Sequence, residues 1–317
     1  MTTDTMGSAA GTPPQGAVAV AAPLNRSGGI TLPRHFWLHV GLILFTGVTI
    51  YPIFWVVSLA FSGQQSVALV TLAPDAGFFD RLRAVLPIPQ TVSLSNFVDV
   101  LTQQAFLTWL MNSAIVAGLT TVIGVFMACT SAYAFSRFRF PGRGAGMMMF
   151  LVSQMFPGTL MLIPLYIIIV GWLGLGNSYF GLILVYAVTA IPFCVWMLKG
   201  YFDTIPVEIE ESAIMDGASR AVIFWRIVLP LSKPAIAVTG LFCFMTAWNE
   251  FILAAVFMSD EGMYTVPVGL RFFVSEYYSF WGYFAAGSII VSLPVVILFM
   301  YLQKYLVSGL TAGGVKG

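Results

Sequence analysis

The stretch EIEESAIMDGASRAVIFWRIVLPLSKP, positions 208–234, holds an unusual share of the charge in this chain. The 317-residue sequence has 14 Lys and Arg and 13 Asp and Glu, and nine of these 27 residues fall from Lys199 to Lys233. Charge gathered in one short segment of an apolar chain points to a water-facing task for that segment.

The remainder is strongly apolar: 59% of residues are hydrophobic, 9% are charged and the mean hydropathy is +0.91. Soluble domains average about 25% charged residues, so a water-soluble fold is excluded. A hydrophobic run of about 18 or more residues with few charges can cross the hydrocarbon core as a helix. Six runs qualify, at 36–62, 109–135, 147–171, 179–199, 235–258 and 282–306. Pro52, Pro157, Pro164, Pro192 and Pro294 lie inside them, which membrane helices tolerate because neighbours and local kinks re-satisfy the freed backbone groups. The expected fold class is all-α, a polytopic membrane protein with six transmembrane helices and both termini on one side.

Cytoplasmic loops carry an excess of Lys and Arg. With the termini inside, the inner segments hold Arg26, Arg34, Arg137, Arg139, Arg143, Lys199, Arg220, Arg226, Lys233, Lys304 and Lys316, and the outer segments hold Arg81, Arg83 and Arg271. Eleven against three puts the segment 200–233 and both termini in the cytoplasm. Residues 1–35, rich in Ala, Gly, Pro, Ser and Thr, lack the continuous apolar core of a secretory signal and are expected to be a disordered leader.

Several chemistries have no support. The ending GLTAGGVKG resembles a phosphate-binding loop only superficially, because Lys316 is displaced by one position and no Ser or Thr follows it. Cys129, Cys194 and Cys243 each fall in a separate span without close spacing, so neither a disulfide nor a zinc framework is expected. His35 and His39 share a helical face but lack a carboxylate or cysteine to complete a ligand set. No nucleophile has a histidine in reach of its span and no carboxylates are paired at membrane depth, so the chain reads as no enzyme. Glu250, in AWNEFILAA, is the one carboxylate well inside a run. Asn249 and Glu250 therefore read either as lining of a pathway or gate or as hydrogen-bonding groups between helices.

The charged segment has the grammar of a helical hairpin. Thr204-Ile205-Pro206 opens a helix, and Glu208, Glu210 and Glu211 follow in its early turns, where negative charge favours the helix dipole. Asp216-Gly217 ends it, because glycine takes the left-handed conformation readily. Ser219 caps a second helix that runs to Leu229-Pro230, where proline is expected to stop it. Ile209, Ala213, Ile214 and Met215 form an apolar strip, suited to a groove on a partner protein or to the protein's own bundle or the membrane surface.

The spacing Glu211-Ser212-Ala213, three residues, Gly217, nine residues, Ile227-Val228-Leu229-Pro230 resembles the EAA signature of ABC importer permeases. Ser212 stands where that signature has its second alanine, a small residue for a small one. The tail LVSGLTAGGVKG and the segment TAWNEFILA are similar to the carbohydrate branch of these permeases, the maltose and maltodextrin type in particular. The resemblance implies a type I ABC importer permease fold over 36–306 and a coupling role for Glu211, Ser212, Ala213, Ile214, Met215, Gly217, Ile227, Leu229 and Pro230. It further implies that the tail 307–317, with Gly309, Leu310, Thr311, Ala312, Gly313, Gly314, Val315, Lys316 and Gly317, contacts the ATPase subunits.

The implied partners are an ATPase dimer, a second homologous permease and a periplasmic sugar-binding protein, with the bilayer around the spans and no nucleic acid. ATP and Mg would sit on the ATPase, so no cofactor is expected on this chain. The outer loop 259–281, rich in aromatic residues, reads as an interfacial belt or as a surface for the binding protein. No role is read for the outer segment 63–106.

Overall fold

The computed structural model describes residues 36–65, 77–79, 81, 86–89, 91–274 and 278–314, the side chains of 306–314 excepted. The expected leader 1–35, His35 and most of segment 63–90 lie outside the described residues. The chain divides into two units, 1–49 and 50–317. The described part of the first unit is helical and none of its residues is buried. Helix α1, Phe36–Ala60, continues from it into the second unit.

In the second unit the elements run α2 (Ser95–Thr102), α3 (Phe106–Arg137), α4 (Arg143–Ser153), α5 (Gly158–Trp172, ending in a wide π turn), α6 (Tyr179–Phe202), α7 (Val207–Met215), α8 (Arg220–Leu231), α9 (Lys233–Trp248), α10 (Ile252–Phe257), α11 (Val266–Arg271) and α12 (Trp281–Gly314). Among the described residues there is no strand, only an isolated bridge between Val274 and Ser279. Four helices are long and apolar enough to span a membrane: α1, α3, α6 and α12. Two bent pairs, α4 with α5 at 103° and α8 with α9 at 80°, bring the number to six when each is counted as one span.

The sequence allowed kinks inside the apolar runs, and two of the runs break outright. The run 147–171 breaks at Gln154–Pro157 because Pro157, with ψ near 130°, is extended and caps α5 rather than continuing α4. The run 235–258 breaks at Asn249–Phe251. There the Glu250 carboxylate accepts the backbone N–H groups of Leu253 and Ala254 and starts α10 as a side-chain cap. The last helix continues past 306 to Gly314.

Apolar packing occurs in three zones along the bundle. At the end predicted to be cytoplasmic, Ala132, Cys194, Leu198, Phe202, Ile223 and Val228 form one core. Leu182, Tyr186, Ala254 and Trp248 form a middle one, and Phe106, Trp109, Val266 and Ala286 an outer one. The loop between α10 and α12 is pinned to α3: Asn112 Nδ2 donates to the carbonyls of Gly262 and Tyr264, both at 2.9 Å, and the Val266 N–H donates to Ser113 Oγ at 2.8 Å. Tyr179 on α6 donates its hydroxyl to Asn112 Oδ1 at 2.6 Å. A polar side chain inside a span is retained when hydrogen bonds of this kind satisfy it.

Candidate functional site

The hairpin begins at Pro206, which caps α7 from outside its first turn. At its far end the Gly217 N–H donates to the Ile214 carbonyl and the Ala218 N–H to the Ala213 carbonyl, both at 2.9 Å. With Gly217 at φ +85°, this is a Schellman closure, which needs a left-handed residue after the helix. Ser219 then accepts the Val222 N–H and caps α8.

Proline does not stop α8 where the sequence suggests. Residues Phe224–Val228 form a wide π turn closed by the Leu229 N–H on the Phe224 carbonyl. Pro230 falls in the first turn of the segment that follows, where a missing N–H is tolerated. The helix therefore runs to Leu231 and turns at Ser232.

The predicted motif divides into two faces. Glu211, Ser212, Met215, Gly217 and Pro230 are exposed, Met215 at 87% and Ile214 at 38%. Ala213, Ile227 and Leu229 are partly buried and pack against the inner core. Ile209 completes the exposed apolar strip with Ile214 and Met215, while Ala213 leaves it.

Sequence reasoning treated Glu210 as one of three acids favouring the helix dipole, whereas the fold buries it to 1% exposure. Its Oε1 accepts Arg137 Nε at 2.6 Å and its Oε2 accepts the Tyr133 hydroxyl at 3.1 Å. Arg137, the last residue of α3, also donates through Nη1 to Ser136 Oγ at 2.8 Å. Its Nη2 donates to the carbonyls of Phe202 at 2.9 Å and Ile205 at 3.1 Å, at the end of α6. The guanidinium thus adds a donor to the Phe202 carbonyl, which also accepts the Ile205 N–H at 3.1 Å, and binds the carbonyl of Ile205 in the connection to α7. Ser136 Oγ in turn donates to Asp203 Oδ1 at 2.6 Å, and Lys199 pairs with the same carboxylate. Burial pushes the Asp203 carboxyl up, but hydrogen bonds from Lys199 and Ser136 and the charges of Lys199 and Arg137 outweigh it and hold it below its ordinary value. The one sequence signal for this cluster was opposite charge at a span end and in the hairpin.

The second predicted site lies at the break between α9 and α10. Glu250 Oε2 accepts the Tyr186 hydroxyl at 2.9 Å in addition to the Ala254 N–H, and Oε1 accepts the Leu253 N–H. Asn249 is exposed, with Nδ2 donating to the Met245 carbonyl at 2.9 Å. At the other break, Gln154 Nε2 donates to the Thr189 carbonyl at 3.3 Å. Tyr186 and Thr189 are three residues apart on α6 and so share a helical face. The breaks at Gln154–Pro157 and Asn249–Phe251 are thus each tied to α6, one through Gln154 on the Thr189 carbonyl and the other through Glu250 on Tyr186.

A separate cavity of about 920 Å³ between α3, α8, α9 and α12 is lined by apolar groups such as Val122, Phe126, Trp225, Phe244 and Leu298 and offers little to a hydroxyl-rich molecule. The tail residues Gly309, Leu310, Thr311, Ala312, Gly313 and Gly314 continue the helical backbone of α12, and Val315, Lys316 and Gly317 lie outside the described residues. Among the described residues no group of three His, Cys, Asp or Glu side chains could hold a metal ion.

The model of the family described as binding-protein-dependent transport system inner membrane component matches residues 120–312. The inner membrane ABC transporter permease protein YcjP of Escherichia coli K12 is 37% identical over 281 residues, covering 88% of this chain and 95% of its own. The maltose/maltodextrin transport system permease protein MalG of Vibrio vulnificus YJ016 is 37% identical over 298 residues, 91% of this chain and 98% of its own. The galactooligosaccharides transport system permease protein GanQ of Bacillus subtilis 168 is 37% identical over 272 residues, with coverage of 85% and 91%. Among solved structures, a chain of a bacterial ABC transporter involved in the import of the acidic polysaccharide alginate superposes with a TM-score of 0.71 at 27% identity, over 85% of this chain and 95% of that one.

Proposed function

The chain belongs to the family of binding-protein-dependent transport system inner membrane components, and from that premise we propose that it is a sugar-importing permease subunit whose hairpin α7–α8 receives the motion of a separate ATPase. The observation that carries this reading is the pairing of an exposed ridge, Glu211, Ile214 and Met215, with a buried attachment, Glu210 to Arg137, on one short helix. An exposed amphipathic ridge suits docking in a groove. Buried polar attachment ties it to the ends of α3 and α6.

In this mechanism closure of the ATPase dimer displaces the hairpin, and the spans alternate between inward and outward access. Both termini are cytoplasmic by the distribution of Lys and Arg. A second permease completes the pathway, and a sugar-binding protein delivers cargo to the outer face, where loop 259–281 is pinned to α3. Gln154, Asn249 and Glu250 stand at breaks in the spans, the kind of place where discontinuous helices form substrate sites, and uncharged amides suit the hydroxyls of a neutral saccharide. The tail 307–317, of which the residues up to Gly314 belong to α12, is the segment that contacts the ATPase in this reading.

Maltose and maltodextrins are the first cargo to test, on the strength of the similarity to MalG. Another oligosaccharide is the alternative, since similarity to GanQ is of the same degree. An ion-coupled carrier is disfavoured because Glu250, the carboxylate at the break between α9 and α10, is engaged by three hydrogen bonds.

The test is affinity purification of the chain from its native membrane in mild detergent, beside a version truncated after Val307. A copurifying ATPase and a second permease, both weakened by truncation, are the expected result. Recovery of the chain alone, still able to move sugar in liposomes on an ion gradient, overturns the subunit reading. Uptake of a panel of maltodextrins, galactooligosaccharides and alginate oligosaccharides by the reconstituted complex then fixes the cargo.

A further inference from the structure

Resting on the coupling role proposed above, we infer that Glu210 and Arg137 form the fixed joint of the transmission: α7 moves as one body with the inner ends of α3 and α6, and compliance lies beyond Gly217, in α8.

The sequence alone makes Glu210 look interchangeable with Glu208 and Glu211, yet those two are exposed and Glu210 is 1% exposed. Burying a carboxylate is costly unless it is paired and hydrogen-bonded. Here both of its oxygens are taken, by Arg137 Nε at 2.6 Å and by the Tyr133 hydroxyl at 3.1 Å. The Arg137 side chain is itself 7% exposed, and its remaining nitrogens donate to Ser136, Phe202 and Ile205. One guanidinium thus touches the end of α3, the end of α6, the connection into α7 and α7 itself.

This contact differs physically from the apolar packing around it. Aliphatic side chains can slide past one another by small increments, whereas separating a buried ion pair leaves two uncompensated charges away from water. The joint is therefore made or broken, and a push on Glu211, Ile214 or Met215 reaches α3 and α6 through the adjoining Glu210. Beyond the left-handed Gly217 no buried ion pair holds α8 among the described residues; its polar ties to the spans are the Tyr201 hydroxyl on the Leu231 carbonyl at 3.2 Å and Arg220 beside Tyr133. That helix also contains the π turn Phe224–Val228, a form that recurs at functional sites. Glu210 and Arg137 are positioning residues in this account, since neither touches cargo or nucleotide.

The test uses the complete importer in proteoliposomes with its binding protein, measuring bound ATPase, ATP hydrolysis and sugar moved per ATP. Glu210→Gln should retain the ATPase and hydrolyse ATP while the sugar-to-ATP ratio falls about fivefold or more, the lower end of coupling between two sites. Arg137→Lys keeps the charge without the fork and should recover part of the ratio relative to Arg137→Gln. Where Glu210→Gln fails to accumulate in the membrane, Tyr133→Phe removes only one of the two partners of Glu210 and should lower the ratio more mildly.

An unchanged ratio in these variants with the ATPase bound overturns the inference and leaves the docking role standing. Loss of the bound ATPase at normal expression also overturns it, because Glu210 would then shape the docking surface and transmit nothing. Failure of the unaltered chain to hold an ATPase sinks the coupling role itself, and the joint with it.

Discussion

The Glu250 carboxylate on one broken span receives the Tyr186 hydroxyl of α6 at 2.9 Å while capping the N–H groups of Leu253 and Ala254. One side chain therefore both starts α10 and fixes the break against its neighbour. Glu250→Ala should destabilise the protein by about 2 kcal/mol, combining the loss of a helix cap with a Tyr186 hydroxyl left without its partner. Glu250→Gln keeps an acceptor oxygen and should cost about half as much. Thermal unfolding in detergent checks the order, and equal stability of all three proteins contradicts it.

At the hairpin turn, Gly217 has φ +85° and open space where a Cβ would stand. The cost of Gly217→Ala is thus backbone strain alone, about 1 kcal/mol. Asn enters the left-handed region more readily, so Gly217→Asn should be milder. Sugar uptake at matched expression should fall in the order Gly, Asn, Ala, and normal uptake in the alanine variant would show that the turn need not hold this shape.

Glu211 is exposed on the hairpin ridge and belongs to no ion pair among the described residues. Glu211→Lys should leave the stability of the isolated chain within about 0.5 kcal/mol of its original value, as surface changes usually do, while the amount of copurified ATPase drops. A stable complex of normal composition would move the docking surface elsewhere.

The Gly269 Cα lies so close to the Trp109 ring that a Cβ there would sit 2.1 Å from a ring carbon. Trp109 is 2% exposed and donates to the Glu261 carbonyl at 3.2 Å, so it has little freedom to yield. Gly269→Ala should cost about 1–3 kcal/mol by overpacking and loosen the outer loop. Faster proteolysis within 259–281 in the variant is the expected readout, and unaltered protection refutes the close packing.

Asp203 is held below its ordinary value of 3.8 by Lys199 and Ser136 against the upward push of burial. A lowered folded value means its contribution to stability is present above about pH 4 and disappears as pH falls through the lower folded value. Asp203→Asn should therefore lower stability at neutral pH and make the decline below about pH 4 shallower. Parallel acid titrations of the two proteins would refute this.

Sequence alone determined the class of the protein. Runs of apolar residues long enough to cross a bilayer admit few solutions other than helices, because backbone groups in lipid must be satisfied within the segment. Gly217 and Ser219 were legible for a similar reason: a left-handed glycine and a serine cap act through bonds to residues a few positions away. The breaks at Gln154–Pro157 and Asn249–Phe251 were less legible, since a proline or carboxylate inside an apolar run is compatible with a kink, a cap or an interhelical contact. Only the tertiary structure selected among these, by bringing Tyr186 to Glu250. The same holds for Glu210, whose neighbours Arg137 and Tyr133 are 73 and 77 positions away. Its helix has acids on several faces, and periodicity cannot say which of them a distant arginine will meet. Local hydrogen bonding and hydropathy are written along the chain, whereas the pairing of buried charges depends on how the spans pack, and that was decided in three dimensions.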